Sequence, residues 1–65
     1  MPTITYIDND LKEGVLIRFS KNDTYETAIE ALNALAKKWN MRLVRDQSVF
    51  GGYYVRPDGI CFMVK

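Results

Sequence analysis

Sixty-five residues with nine basic against eight acidic side chains, 48% apolar and 26% charged, make one small globular domain of near-neutral charge, spanning residues 1–65. That balance excludes a disordered chain and gives no electrostatic argument for or against an anionic partner. A lone cysteine, Cys61, excludes an internal disulfide, and the absence of histidine removes Ser-His and Cys-His nucleophile activation and the commonest zinc and copper ligand.

The opening stretch MPTITY lacks the basic segment and long apolar core of a signal peptide, and no apolar run approaches the ~20 residues of a membrane span. With a single thiol, this predicts a soluble cytoplasmic protein in a reducing compartment. Residues 3–8, rich in threonine and β-branched side chains, predict a strand; NDLKEG, residues 9–14, a polar turn; and VLIRF, residues 15–19, a second strand closing a hairpin. Asp23 is the expected helix cap, with Glu26 three residues on as an acidic variant of the capping box. Tyr25, Ala28, Ile29, Leu32, Leu35, Ala36 and Trp39 then recur at helical spacing as one apolar stripe. Glu26, Glu30, Asn33 and Lys37 form the opposite, wet stripe. Asn40 has the side chain to end the helix in a left-handed conformation.

From Met41 the pattern is strand again: MRLVRDQSVF, a Gly51-Gly52 turn, YYVR, the turn Pro57-Asp58-Gly59, and ICFMVK. The order is strand, strand, helix, strand, strand, strand. The expected class is α+β, a small antiparallel or mixed sheet with one helix packed on one face. If Gly51-Gly52 is a two-residue turn, Phe50 pairs with Tyr53, Val49 with Tyr54 and Ser48 with Val55. Across the second turn Arg56 pairs with Ile60, Val55 with Cys61, Tyr54 with Phe62 and Tyr53 with Met63. One face then carries Met41, Leu43, Val49, Tyr54, Ile60, Phe62 and Val64; the other carries Arg42, Val44, Phe50, Tyr53, Val55, Cys61 and Met63. A half-exposed antiparallel sheet ordinarily alternates apolar with polar. Here both faces are apolar, and one helix roofs one of them. The alternative is a bulge near Ser48 that shifts the alternation and returns some of these side chains to a single core.

The stretch ITYIDNDLKEGVLIRFSKNDTYETAIEALNALAKKW resembles the β-grasp, or ubiquitin-like, superfold: a hairpin feeding one helix, with FSKNDTYETAIEAL similar in layout to the ubiquitin family's strand exit, cap and helix start. The later strand and tight turn also resemble the small immunoglobulin-binding β-grasp modules of bacterial surface proteins. The resemblance implies a domain that binds proteins through the uncovered sheet face. The chain departs from it in ending FMVK, without the terminal Gly-Gly of conjugated modifiers and sulfur carriers, and in the PDG turn that divides its last section.

The remaining motifs have plainer readings. DNDLKEG begins like a calcium loop, with Asp8 and Asp10 at ligand spacing, but puts Lys12 at a ligand position and its glycine one position late, so it reads as a solvated turn. FGGYYV is similar to the aromatic-glycine strand of RNA-recognition modules, yet the second helix of those modules is missing. No helix follows Gly51-Gly52 to make a phosphate loop. Cys61, mid-strand between apolar residues with no cation near it in sequence, reads as a core or interface residue rather than a nucleophile. Arg18, Arg42, Arg45 and Arg56 all fall on expected strands. Arginine beside tyrosine and phenylalanine suits a protein interface or a single-strand nucleic-acid groove, while strand arginines also serve simply to discourage edge aggregation.

The sequence therefore predicts a non-enzymatic protein-binding module with no cofactor, metal or small-molecule substrate. It would be a small regulator or inhibitor, of a kind phage and plasmid genomes encode, acting on a protein target or on a second copy of itself. The expected partner-binding residues are Val44, Phe50, Tyr53, Val55 and Met63, with Arg18 and Arg42 as charged rim. The rival expectation is nucleic-acid binding through the same arginines and aromatics.

Overall fold

The computed structural model describes residues 1–44 and 52–65. One helix, α1 (Tyr25–Lys38), lies on a five-stranded sheet of order β2-β1-β5-β4-β3, formed by β1 (Thr3–Ile7), β2 (Glu13–Arg18), β3 (Arg42–Val44), β4 (Tyr53–Val55) and β5 (Cys61–Val64). Every pairing is antiparallel. The α+β class with a single helix on the sheet is as the sequence predicts.

Asp8 builds the first turn. Its carboxylate Oδ1 accepts the backbone N–H groups of Asp10 and Lys12, both at 2.9 Å, and its own N–H donates to the Lys12 carbonyl. Leu11 sits in this turn at φ 62, a left-handed conformation that asparagine or glycine adopts more readily. Between Ile4 and Thr5 the β1–β2 register slips by one, because Ile4 pairs with Ile17 while Thr5 pairs with Val15; Leu16 is the extra residue.

The helix cap is Thr24, not Asp23. Thr24 Oγ1 accepts from the Thr27 N–H at 3.2 Å, whereas Asp23 faces backward and accepts the Ser20 N–H at 2.9 Å, closing the turn before the helix. A hydroxyl and a carboxylate stand side by side here, and the carboxylate goes to the turn. At the other end Asn40 takes φ 57 and the Met41 N–H bonds the Ala36 carbonyl, the left-handed termination expected of asparagine.

In the β4–β5 turn the Gly59 N–H bonds the Arg56 carbonyl and the Arg56 N–H bonds the Ile60 carbonyl, with Gly59 at φ 91. Glycine fills the left-handed place that the Pro57-Asp58-Gly59 signature assigns it. The two loops touch: Asn9 Nδ2 donates to the Asp58 carbonyl at 3.1 Å.

The β3–β4 register differs from expectation. Val44, Leu43 and Arg42 pair with Tyr53, Tyr54 and Val55, so Val44 rather than Phe50 stands opposite Tyr53, and Arg42 rather than Ser48 opposite Val55. The expected Phe50–Tyr53 pairing across Gly51-Gly52 is therefore not formed, because the partner of Tyr53 is Val44. The difference is a shift of six residues. Because six is even, each described side chain keeps its expected face. Ser48, Val49 and Phe50, and the bulge near Ser48, lie outside the described residues.

The core lies between helix and sheet. Ile4, Ala28, Leu32, Phe62 and Val64 are buried, and Ile17, Leu35, Trp39 and Tyr54 pack against them. Trp39 stands 5.6 Å from the Phe62 ring centroid. Among the described residues no helix is long and apolar enough to cross a membrane.

Candidate functional site

The pairings arrange the sheet face away from the helix in rows, because directly opposed residues share a face. The first row crosses all five strands: Glu13, Ile7, Cys61, Val55, Arg42. Three apolar or weakly polar residues are thus flanked by an acid on one edge strand and a base on the other. The second row sets Val15, Thr5 and Met63 side by side, with the Tyr53–Val44 pair continuing it toward β3. The third holds Arg18, Thr3 and Lys65.

This face is not uniform. Lys65 Nζ and Glu13 Oε1 are 2.6 Å apart. Lys65 stands in the third row beside β1 and Glu13 in the first row on its other side, so their ion pair closes diagonally over the residue midway between them, Thr5. Thr5 is only 5% exposed although it faces away from the helix. Its hydroxyl donates to the Met63 carbonyl at 3.5 Å. The pair is half-exposed at both ends and adds at most about 1 kcal/mol; it sets charge across β1, while Val15 on β2 remains 41% exposed.

The β5–β4–β3 half carries Met63, Cys61, Val55, Tyr53 and Val44. All five are half-buried, and none belongs to the cluster packed beneath the helix. Tyr53, Val55, Val44 and Met63 therefore lie together on the face opposite α1, while Arg42 and Arg18 are exposed at diagonal corners of it, on opposite edge strands. Phe50 lies outside the described residues. Leu43, opposite Tyr54 on the helix side, is 41% exposed at the edge strand.

Arg56 behaves unlike the other described arginines. It lies on the helix side, with its guanidinium 5.0 Å from the Trp39 ring and 5.1 Å from the Phe62 ring. Two of its nitrogens grip the Asp58 carboxylate, at 2.8 Å from Nη2 and 3.0 Å from Nε. The bond from Arg56 and a backbone bond from Ile60 hold the Asp58 carboxyl below the usual carboxylate range, and Asp58 in turn raises the guanidinium pKa. Arg56 is a structural clamp on the β4–β5 turn, which its strand position alone does not reveal. The signal in the sequence was the R-P-D spacing, which sets a carboxylate two residues from the base across a turn.

Beside this turn a shallow cleft of about 270 Å³ opens at the β3 edge, lined by Asn40, Arg42, Val55, Arg56, Pro57 and Gly59. Sequence reasoning missed it, because it forms only where the helix exit meets the β4–β5 turn. Arg42 makes no ion pair or side-chain hydrogen bond among the described residues. Among those residues, no cluster of three or more histidine, cysteine, aspartate or glutamate side chains is placed to hold a metal ion. Cys61 is a free thiol, half-buried, its Sγ 3.8 Å from the Gly59 carbonyl.

No protein-family model matches the chain, no curated protein matches its sequence, and no solved structure matches its fold.

Proposed function

We propose that the chain is a small protein-binding module that docks through the sheet face opposite its helix, acting as a regulator or inhibitor of a larger protein or on a second copy of itself. One observation carries this reading. Met63, Cys61, Val55, Tyr53 and Val44 form a contiguous apolar group outside the helix-covered core, on the half of the face that the Lys65–Glu13 pair leaves open. Covering about 300 Å² of such a surface is worth roughly 7 kcal/mol before association costs, at about 25 cal/mol per Å².

A nucleic-acid groove has weaker support. Of the described arginines, Arg56 is committed to Asp58 and two rings, and Arg18 and Arg42 stand on opposite edge strands rather than along one track. The test is selection of binders from a random twelve-residue peptide library displayed against the full chain. Selected peptides should lose binding to Tyr53→Glu and Val55→Asp and keep it with Lys37→Glu on the outer helix face. Peptides indifferent to both sheet substitutions would overturn the reading, as would tight binding of a single-stranded oligonucleotide that falls steeply with salt.

A further inference from the structure

We infer that the surface docking on the β5–β4–β3 half is acidic, and that it seats a carboxylate in the cleft beside Arg42 rather than meeting a second copy of this chain. The inference rests on the docking reading above and adds the partner's charge. Three facts combine. Among the described residues the face away from the helix carries Arg18, Arg42 and Lys65 against a single acid, Glu13, and that acid is already engaged by Lys65. Among the described residues, a second copy laid on this face would offer Arg18 and Arg42 no acid that is not already engaged, whereas an acidic surface would be attracted and oriented. Arg42 is exposed and has no partner among the described residues, at the lip of the cleft that opens between Asn40 and the β4–β5 turn. Among the described residues the acid beside that cleft, Asp58, is neutralised by its two-nitrogen bond to Arg56, so Arg42 is the uncompensated charge there among them.

A carboxylate entering the cleft would meet the planar guanidinium of Arg42 and accept two parallel N–H bonds. Val55, its cross-strand neighbour, also lines the cleft and opens onto the apolar half. An aliphatic or aromatic side chain one or two positions from that carboxylate would then lie over Val55 and Tyr53. The chemistry specified is an acidic residue followed closely by an apolar one, on an extended segment or an exposed edge.

The same peptide selection tests it, with Arg42→Glu as the deciding variant, since an exposed edge-strand side chain can be reversed without touching the core. Enriched peptides should pair aspartate or glutamate with a nearby large apolar residue. Their affinity should fall about tenfold or more with Arg42→Glu, while Arg42→Lys keeps part of it. Peptides that need Tyr53 but carry no acid, or ignore Arg42→Glu, overturn this inference and leave docking through the face standing. Peptides indifferent to Tyr53→Glu as well bring both down. Wild-type protein that sediments as a dimer at about 0.1 mM, and becomes a folded monomer with Tyr53→Glu, would assign the face to a second copy and refute the acidic partner.

Discussion

Gly14 stands opposite Tyr6 in the β1–β2 hairpin, and a Cβ built on it would fall within 2.6 Å of Tyr6 Cε2, closer still to the end of the ring. Real methyl groups keep roughly 3.4–4 Å from carbon, so Gly14→Ala must push the ring by about 1 Å. The ring is half-buried. It packs against the buried cluster of Ile4, Leu32 and Phe62, with its centroid 6.5 Å from that of Phe62. Overpacking of this kind costs about 1–3 kcal/mol. Alanine in a strand interior would otherwise be favoured over glycine by roughly 0.5–1 kcal/mol, so Gly14→Ala alone should destabilise by about 1–2 kcal/mol. Shortening the opposing side chain reverses the sign. In a Tyr6→Leu background the same change should stabilise by about 0.5 kcal/mol, and the coupling between the sites should be roughly 1.5–2.5 kcal/mol. Urea unfolding of the four proteins, read at constant m, measures the cycle. Equal effects of Gly14→Ala in both backgrounds would refute this packing of Tyr6 over the neighbouring strand.

Three further predictions follow from the local chemistry. Thr24→Ala should cost about 1 kcal/mol in chemical denaturation, and more than Asp23→Ala costs the helix itself, because Thr24 and not Asp23 accepts the helical N–H. The Asp58 carboxyl has a lowered pKa in the folded chain, so its contribution is present above the ordinary carboxylate value and is lost as pH falls through the depressed folded value. Acid titration of stability should therefore show a component below about pH 4 that disappears in Asp58→Asn. Leu11, 84% exposed at φ 62, should tolerate Leu11→Asn with a gain of up to about 1 kcal/mol in thermal unfolding, and a loss would contradict that turn geometry.

Much of this architecture is legible in the sequence, for reasons that differ by element. The helix announced itself through an apolar stripe at spacings of three and four, within which Ala28, Leu32 and Ala36, four residues apart, are its buried residues. The assignment of the described side chains of β3, β4 and β5 to the two faces also holds, since a six-residue displacement preserves parity. The β3–β4 register was not readable. Alternation is satisfied equally by Val44 or Phe50 opposite Tyr53, and the glycine pair suggested the nearer partner although the polar run Arg45-Asp46-Gln47-Ser48 interrupts the pattern. The Lys65–Glu13 pair was equally hidden: 52 residues separate its members, and only the sheet order brings them to either side of β1. It changes the picture of the candidate site most, because it sets charge beside the apolar residues of β5, β4 and β3, while Val15 on β2 stays exposed on the same face. Arg56 misled for a related reason, since a strand arginine looks the same in sequence whether it rims a surface or clamps a turn.

Docking through this face requires the β5–β4–β3 half of the sheet to be open to what surrounds the molecule. Methyl relaxation in the presence of a soluble gadolinium chelate reads this directly on the 65-residue chain. Resonances of Val44, Val55 and Met63 should broaden well beyond those of Ile4, Leu32 and Val64, which lie under the helix. Equal protection of the two groups would mean that the face is already covered, and the docking surface would be lost with it.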